Sequence, residues 1–280
     1  MHLKLPAGEV ALDRAVVMGV LNVTPDSFSD GGMWLDRDAA VKHGLAMVSE
    51  GAGVIDVGGE STRPGAADVP EAEELRRVIG VIEDLVADAG VPISIDTRKV
   101  AVAERALAAG ASIINDTAGE ISDGAMDRLA AESGAAIVVM HSRGTPATMR
   151  SLTTYANLVP DVRSFLARRA EELIGLGVDP AAIVLDPGVG FAKTPRQNLV
   201  LLSRFEEFTD IGFPILSGTS RKSFIGAALD LPEDQRVEGT IATVVLSVLK
   251  GARIVRVHDV EANVRAIRML EAIVHEGAGH

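Results

Sequence analysis

Eight short apolar runs, each ending at a polar or charged residue, constrain this chain more than any other feature. They read AVVMGVLN into Asn22, VIDVGG into Glu60, PISID into Asp96, SIIND into Asn115 and Asp116, AIVVMH into His141, IVLD into Asp186, PILSGTSRK into Ser220 and Lys222, and RIVRVHD into Arg256 and His258. Their starts fall near residues 16, 54, 93, 112, 136, 183, 214 and 253, and every gap has room for a returning helix. Near-continuous β-branched runs suit parallel strands covered on both faces. The intervening segments, among them EAEELRRVIGVIEDLVADAG and SFLARRAEELIGLG, carry helical spacing and stop at or near Gly, which accepts the left-handed backbone of a helix end.

The pattern predicts an α/β fold, a (β/α)8 TIM barrel with a short N-terminal β-hairpin, as a single domain over residues 1–280. A barrel is preferred to an open doubly wound sheet because all eight endings are polar, whereas an open sheet concentrates its chemistry at one switch point. The opening LKLPAGEVALD reads as the hairpin, placed to plug the barrel bottom.

Composition narrows the function classes. A formal charge of −12 disfavours nucleic acid as a partner, because phosphate neutralisation needs clustered Lys and Arg. No run approaches the roughly 20 apolar residues of a membrane span, and the start lacks a leader pattern, so the expected location is cytoplasmic. With no Cys, disulfides, thiolate metal sites and cysteine nucleophiles are excluded. No HExxH or other ligand cluster points to tightly held zinc.

Asp96, Asn115 and Asp186 end strands three, four and six and would converge at the carboxyl mouth of a barrel. Carboxylates only accept, and an amide both accepts and donates, so the trio suits a ring presenting amino, N–H and carbonyl groups along one edge, as a pterin does. A lone Asp at such a place is more simply a loop cap; two plus an Asn at equivalent ends favour convergence. SGTSRKS, residues 217 to 223, places small residues and cations where barrels bind phosphate, although an ordinary helix cap would look alike. Arg256 and His258 alternate to the same side and form a second cationic patch. Asn22 could give one oxygen to Mg²⁺ completed by phosphate and water. His141 has two open readings, structural or functional. The loops NVTPDSFSDGG and GGESTRPGA are turn-rich and hold Phe28, Arg63 and Pro64.

From about residue 15 to 270, MGVLNVTPDSFSDGG, VIDVGGESTRPGA, SIDT, IIND, MHSRGTPATM, LDPGVGFAKT, SGTSRKSFIG and RVHDV closely resemble, in order, the bacterial dihydropteroate synthase family. Departures are small: AGE at 118 to 120 and SR at 142 and 143. The resemblance implies condensation of 6-hydroxymethyl-7,8-dihydropterin diphosphate with 4-aminobenzoate to 7,8-dihydropteroate and diphosphate, with Mg²⁺ as cofactor and a homodimer as the assembly. It implies Asp96, Asn115, Met140, Asp186 and Lys222 around the pterin. Asn22, Arg63, Arg256 and His258 surround the diphosphate, Asn22 through the metal. Ser220 receives the aminobenzoate carboxylate, correcting the phosphate reading of that loop, and Phe28, Thr62, Pro64, Phe191 and the stem of Lys222 line its ring pocket. Asp96, Lys222, Arg256 and His258 carry catalysis. A methyltetrahydrofolate-type methyltransferase and a non-catalytic pterin-binding homologue stay open as alternatives.

Overall fold

The computed structural model describes residues 1–24, 32–61 and 65–278. Among these, ten strands form two sheets. β1 (His2–Lys4) and β2 (Glu9–Ala11) pair as an antiparallel hairpin. The remaining strands are β3 (Val16–Asn22), β4 (Val54–Gly58), β5 (Ile93–Asp96), β6 (Ile113–Asp116), β7 (Ala136–Met140), β8 (Ile183–Asp186), β9 (Leu216–Ser217) and β10 (Ile254–Val257). They lie in the order β8-β7-β6-β5-β4-β3-β10-β9, every pair parallel. A parallel bridge from Leu185 to Ile215 joins the two edges, so the sheet closes into the expected eight-stranded barrel. The seventh barrel strand is shorter than its run suggested, because Pro214 has no N–H; its carbonyl still accepts from Leu185 N at 3.0 Å.

The hairpin sits at the amino-terminal end of the barrel. Leu3, Leu5 and Leu12 are buried, and Lys4 reaches Asp179, just before β8, at 2.7 Å. Helices clothe the outside for reasons visible in their residues. Glu71–Asp88 has three acids in its first turn, favourable at the positive end of the helix dipole, and buries Val78, Val81, Ile82 and Leu85 on one stripe. Pro195–Ser203 starts at a capping box in which Thr194 and Gln197 exchange side-chain and backbone bonds.

Register decides which residues enter the barrel. Laterally paired residues of parallel strands face the same side, and Asn22, Gly58, Asp96, Asn115 and Val138 form one row. Val20, Asp56, Ser94 and Ile113 form the row beneath, while Met140 pairs with Asp186 and Arg256 with Met18 on the same parity. The interior is therefore apolar low down and polar at the carboxyl end, where barrel chemistry resides.

Candidate active site

A cavity of about 300 Å³ opens at that carboxyl end. It is lined by residues from distant strands and loops, including Asn22, Glu60, Asp96, Phe191, Ser220, Lys222, Arg256 and His258. Its floor is a charge cluster. The Arg256 guanidinium donates through Nε to Asp56 Oδ2 at 2.6 Å and through Nη2 to Asp96 Oδ2 at 2.7 Å. Asn115 Nδ2 donates to the same Asp56 oxygen at 2.9 Å, which turns its amide oxygen away from Asp56. The other oxygens, Asp56 Oδ1 and Asp96 Oδ1, are buried with no hydrogen-bond partner among the described residues. Buried acceptors left without donors are costly, so these two oxygens can accept from a ligand that brings N–H groups.

The electrostatics follow from burial. Asp96 is raised to about 7, first by loss of solvent and then by the neighbouring Asp56 and Glu74, against the pull of Arg256. Burial opposes the Arg256 charge, yet Asp56 and Asp96 outweigh it and hold the guanidinium above its ordinary value. Burial also raises Asp186, opposed by Lys222 and by the Gly188 N–H, which donates to Asp186 Oδ1 at 2.7 Å. Lys222 is lowered to about 8 by burial, with Asp186 pulling the other way. Its ammonium lies 4.6 Å from the Phe191 ring centroid and donates to Val189 O.

The matching family model, the pterin binding enzymes, covers residues 18–258. The chain is 49% identical to the dihydropteroate synthase of Bacillus subtilis over 96% of its own length and 92% of that protein. It is 43% identical to the Escherichia coli dihydropteroate synthase over 96% of each. The Yersinia pestis dihydropteroate synthase, solved as a sulfonamide drug complex, superposes with a TM-score of 0.92 at 42% identity, covering 98% of this chain and 100% of that one. The Xanthomonas albilineans dihydropteroate synthase with 4-aminobenzoic acid gives a TM-score of 0.91 at 42% identity, covering 97% of each.

The chain belongs to the dihydropteroate synthases.

Within a dihydropteroate synthase frame, the structure brings Asn22, Asp96, Phe191, Ser220, Lys222, Arg256 and His258 to one cavity. Asn115 joins them through Asp56. Met140 is buried just beneath the turn at Gly188. Asp186 is both things its sequence allowed: one oxygen caps the turn that follows, and the carboxylate also faces Lys222. Phe28, Thr62, Arg63 and Pro64 lie outside the described residues.

Several arrangements depart from the strand-end reading. Arg256 does not stand in a separate cationic patch; it is inserted between two acids, because a guanidinium with donors on two edges can bridge carboxylates from different strands. The Ser220 hydroxyl accepts from His258 N at 3.1 Å and lies 3.0 Å from His258 Nδ1, while Ser223, at the start of the next helix, is exposed in the cavity wall. Asp56 was missed; the signal was an acid in the middle of an otherwise apolar strand, VIDVG. Lys193 was also missed, and it explains His141, whose Nδ1 lies 3.0 Å from the buried Lys193 ammonium. Burial, followed by Lys193 and Arg143, lowers His141 to about 2, so it stays neutral. Even the two departures from the family pattern meet: Arg143 Nε donates to Glu120 Oε1 at 2.9 Å, and Glu120 N to Ser142 O at 2.9 Å.

Among the described residues no group of three His, Cys, Asp or Glu could hold a metal ion. Asn22 offers one amide oxygen to the cavity, which fits only an ion whose remaining ligands arrive with the substrate and water.

Proposed function

We propose that this cavity joins 6-hydroxymethyl-7,8-dihydropterin diphosphate to 4-aminobenzoate, releasing 7,8-dihydropteroate and diphosphate. The single observation that carries the assignment of groups is the pair of buried, unpartnered carboxylate oxygens under the cavity. A pterin edge with its amino and ring N–H groups supplies the missing donors to Asp96 and Asp56, and also meets Asp186 and the Asn115 oxygen. Lys222 donates to the carbonyl side of the ring, above Met140.

In the reaction the C–O bond to diphosphate breaks and its electron pair leaves with the diphosphate. The aminobenzoate nitrogen forms the new C–N bond at the pterin methylene, and the proton it sheds passes to diphosphate or water. Positive charge developing on the methylene is stabilised by Asp96 and Asp186. Negative charge on the leaving group is taken by Arg256, His258 and Arg63. One preorganised contact of this kind is worth about 3 to 4 kcal/mol of barrier. No protein nucleophile is required. Asn22 would hold Mg²⁺ carried in on the diphosphate, and the ion would neutralise part of that charge. Phe191, the Lys222 stem, Phe28, Thr62 and Pro64 enclose the aminobenzoate ring, with its carboxylate received at the Ser220 to Ser223 turn. Exposed Leu249, Met269, Ile273 and Val274 on the last two helices support a homodimer, and no described helix is long and apolar enough to cross a membrane. A cytoplasmic site of action is part of the same reading.

The test is incubation of the purified chain with pterin diphosphate, 4-aminobenzoate and Mg²⁺, with detection of dihydropteroate and diphosphate in equal amounts. No condensation, or methyl transfer from methyltetrahydrofolate in its place, would overturn the reading.

A further inference from the structure

The turn after β8 is folded around a buried amine, which burial lowers to about 7 while Asp186 pulls the other way. Lys193 is buried, and its Nζ donates to Gly188 O at 2.9 Å and Phe191 O at 3.0 Å, lies 3.0 Å from His141 Nδ1, and reaches His141 O at 3.4 Å. A protonated amine has three N–H bonds and no acceptor, so with Lys193 charged, His141 accepts at Nδ1 and carries its proton on Nε2. Other bonds fix the same turn from outside. Asn198 Oδ1 accepts from Gly190 N at 2.7 Å, and Tyr155 donates its hydroxyl to Ala192 O at 3.0 Å.

The backbone that Lys193 holds is one that does not persist unaided. Gly188, Gly190 and Ala192 all have positive φ, at 67°, 88° and 48°. At Gly188 a Cβ would sit 1.9 Å from His141 O, so the turn is pressed directly against the backbone just past the end of β7. Conformations of this kind survive only where the surroundings over-determine them. The exposed side of the turn is part of the cavity: Gly190 and Phe191 line it, and Val189 O and the Phe191 ring both engage Lys222. Lys193 itself does not line the cavity.

We propose that Lys193 is a positioning residue for 4-aminobenzoate: its enclosed side-chain nitrogen, bonded to Gly188 O and Phe191 O, fixes the Gly188–Phe191 wall so that the Phe191 ring and Lys222 stem meet the substrate ring. This rests on the aminobenzoate pocket proposed above. Two measurements test it on Lys193→Met, which keeps most of the stem and removes the donor nitrogen. KM for 4-aminobenzoate should rise at least about tenfold, since small misplacements of substrate-positioning groups are costly, while pterin binding measured alone changes by less than about threefold. Amide exchange at Gly190 and Phe191 should accelerate at least about tenfold, while exchange in β4 and β5 does not. Tyr155→Phe removes one bond from the same turn, folds without a buried charge change, and should raise only the aminobenzoate KM, by about two- to threefold; it decides the matter if Lys193→Met does not fold. Equal losses for both ligands, or unchanged exchange at the turn, would overturn the inference. Phe191→Leu separates the two failures. A raised aminobenzoate KM there, with none in Lys193→Met or Tyr155→Phe, sinks the role of Lys193; no change in any variant sinks the pocket assignment, and the inference with it.

Discussion

Two buried charge clusters meet at the end of β5, and they differ in one respect. Beside the barrel mouth, Glu74 accepts from Thr97 Oγ1 at 2.7 Å and Lys99 Nζ at 2.5 Å, and Glu60, at the cavity edge, accepts from Arg98, Lys99 and the Val69 N–H. Each carboxylate oxygen there has a donor, and two cations serve two acids. Inside the barrel, one residue earlier in the chain, Asp96 and Asp56 share a single guanidinium and keep two oxygens unpartnered. The saturated cluster holds the chain at Asp68 and Val69, since Arg98 also reaches Asp68 at 3.2 Å and Glu60 takes the Val69 N–H. The unsaturated one has acceptors to spare for the N–H groups of the pterin proposed above. Satisfaction of acceptors, more than burial or charge, separates the brace from the site.

That contrast is broken most severely by Arg256→Ala, which strands both interior acids. Unfolding in urea should show a loss of about 3 to 5 kcal/mol, and kcat/KM should fall by more than about a thousandfold because the leaving group also loses its cation. A stable variant that binds diphosphate normally would contradict the shared guanidinium's double role. Next in size is Asp96→Asn, expected to lower kcat/KM by about a hundredfold or more with little loss of stability, since one buried charge disappears with its partner still held by Asp56.

The same variant tests the pH behaviour. In the folded chain Asp96 is raised to about 7 by burial, from an ordinary value near 4, so between about pH 4 and 7 the folded state holds a proton the unfolded state has lost. Stability from this group is therefore present below pH 4 and lost as pH rises to 7, while activity needing the carboxylate rises over the upper part of that range. Asp96→Asn should flatten both trends; an unchanged pH profile would remove Asp96 from the site. Glu74→Gln, in the saturated cluster, should cost about 1 to 3 kcal/mol in urea unfolding yet leave kcat within about threefold, with Lys99 still paired to Glu60. A large drop in kcat instead would erase the division between brace and site. The smallest effect expected is at Ala192→Gly: relief of a left-handed Ala is worth about 1 to 2 kcal/mol, the added freedom of the unfolded chain takes back about 0.4 to 1 and the lost buried methyl about 0.8, so the melting temperature should stay nearly unchanged.

The barrel was legible because strand and helix periods are local properties. Runs such as ISID and SIIND state their own period, and Gly marks the helix ends. Alternation along RIVRVHD likewise put Arg256 and His258 on one side without knowledge of any neighbour. The candidate site was legible only as a set of strand ends. That Arg256 lies between Asp56 and Asp96, 200 and 160 positions away, depends on the stagger of neighbouring strands, which no single strand encodes. The use of Ser220 by His258 and the packing of Lys193 on His141 are of the same kind. The sequence by itself determined the strands, their order of chemistry and the face each side chain takes. Tertiary structure alone decided which donor meets which acceptor, because burial makes every such pairing a matter of ångströms set by barrel closure.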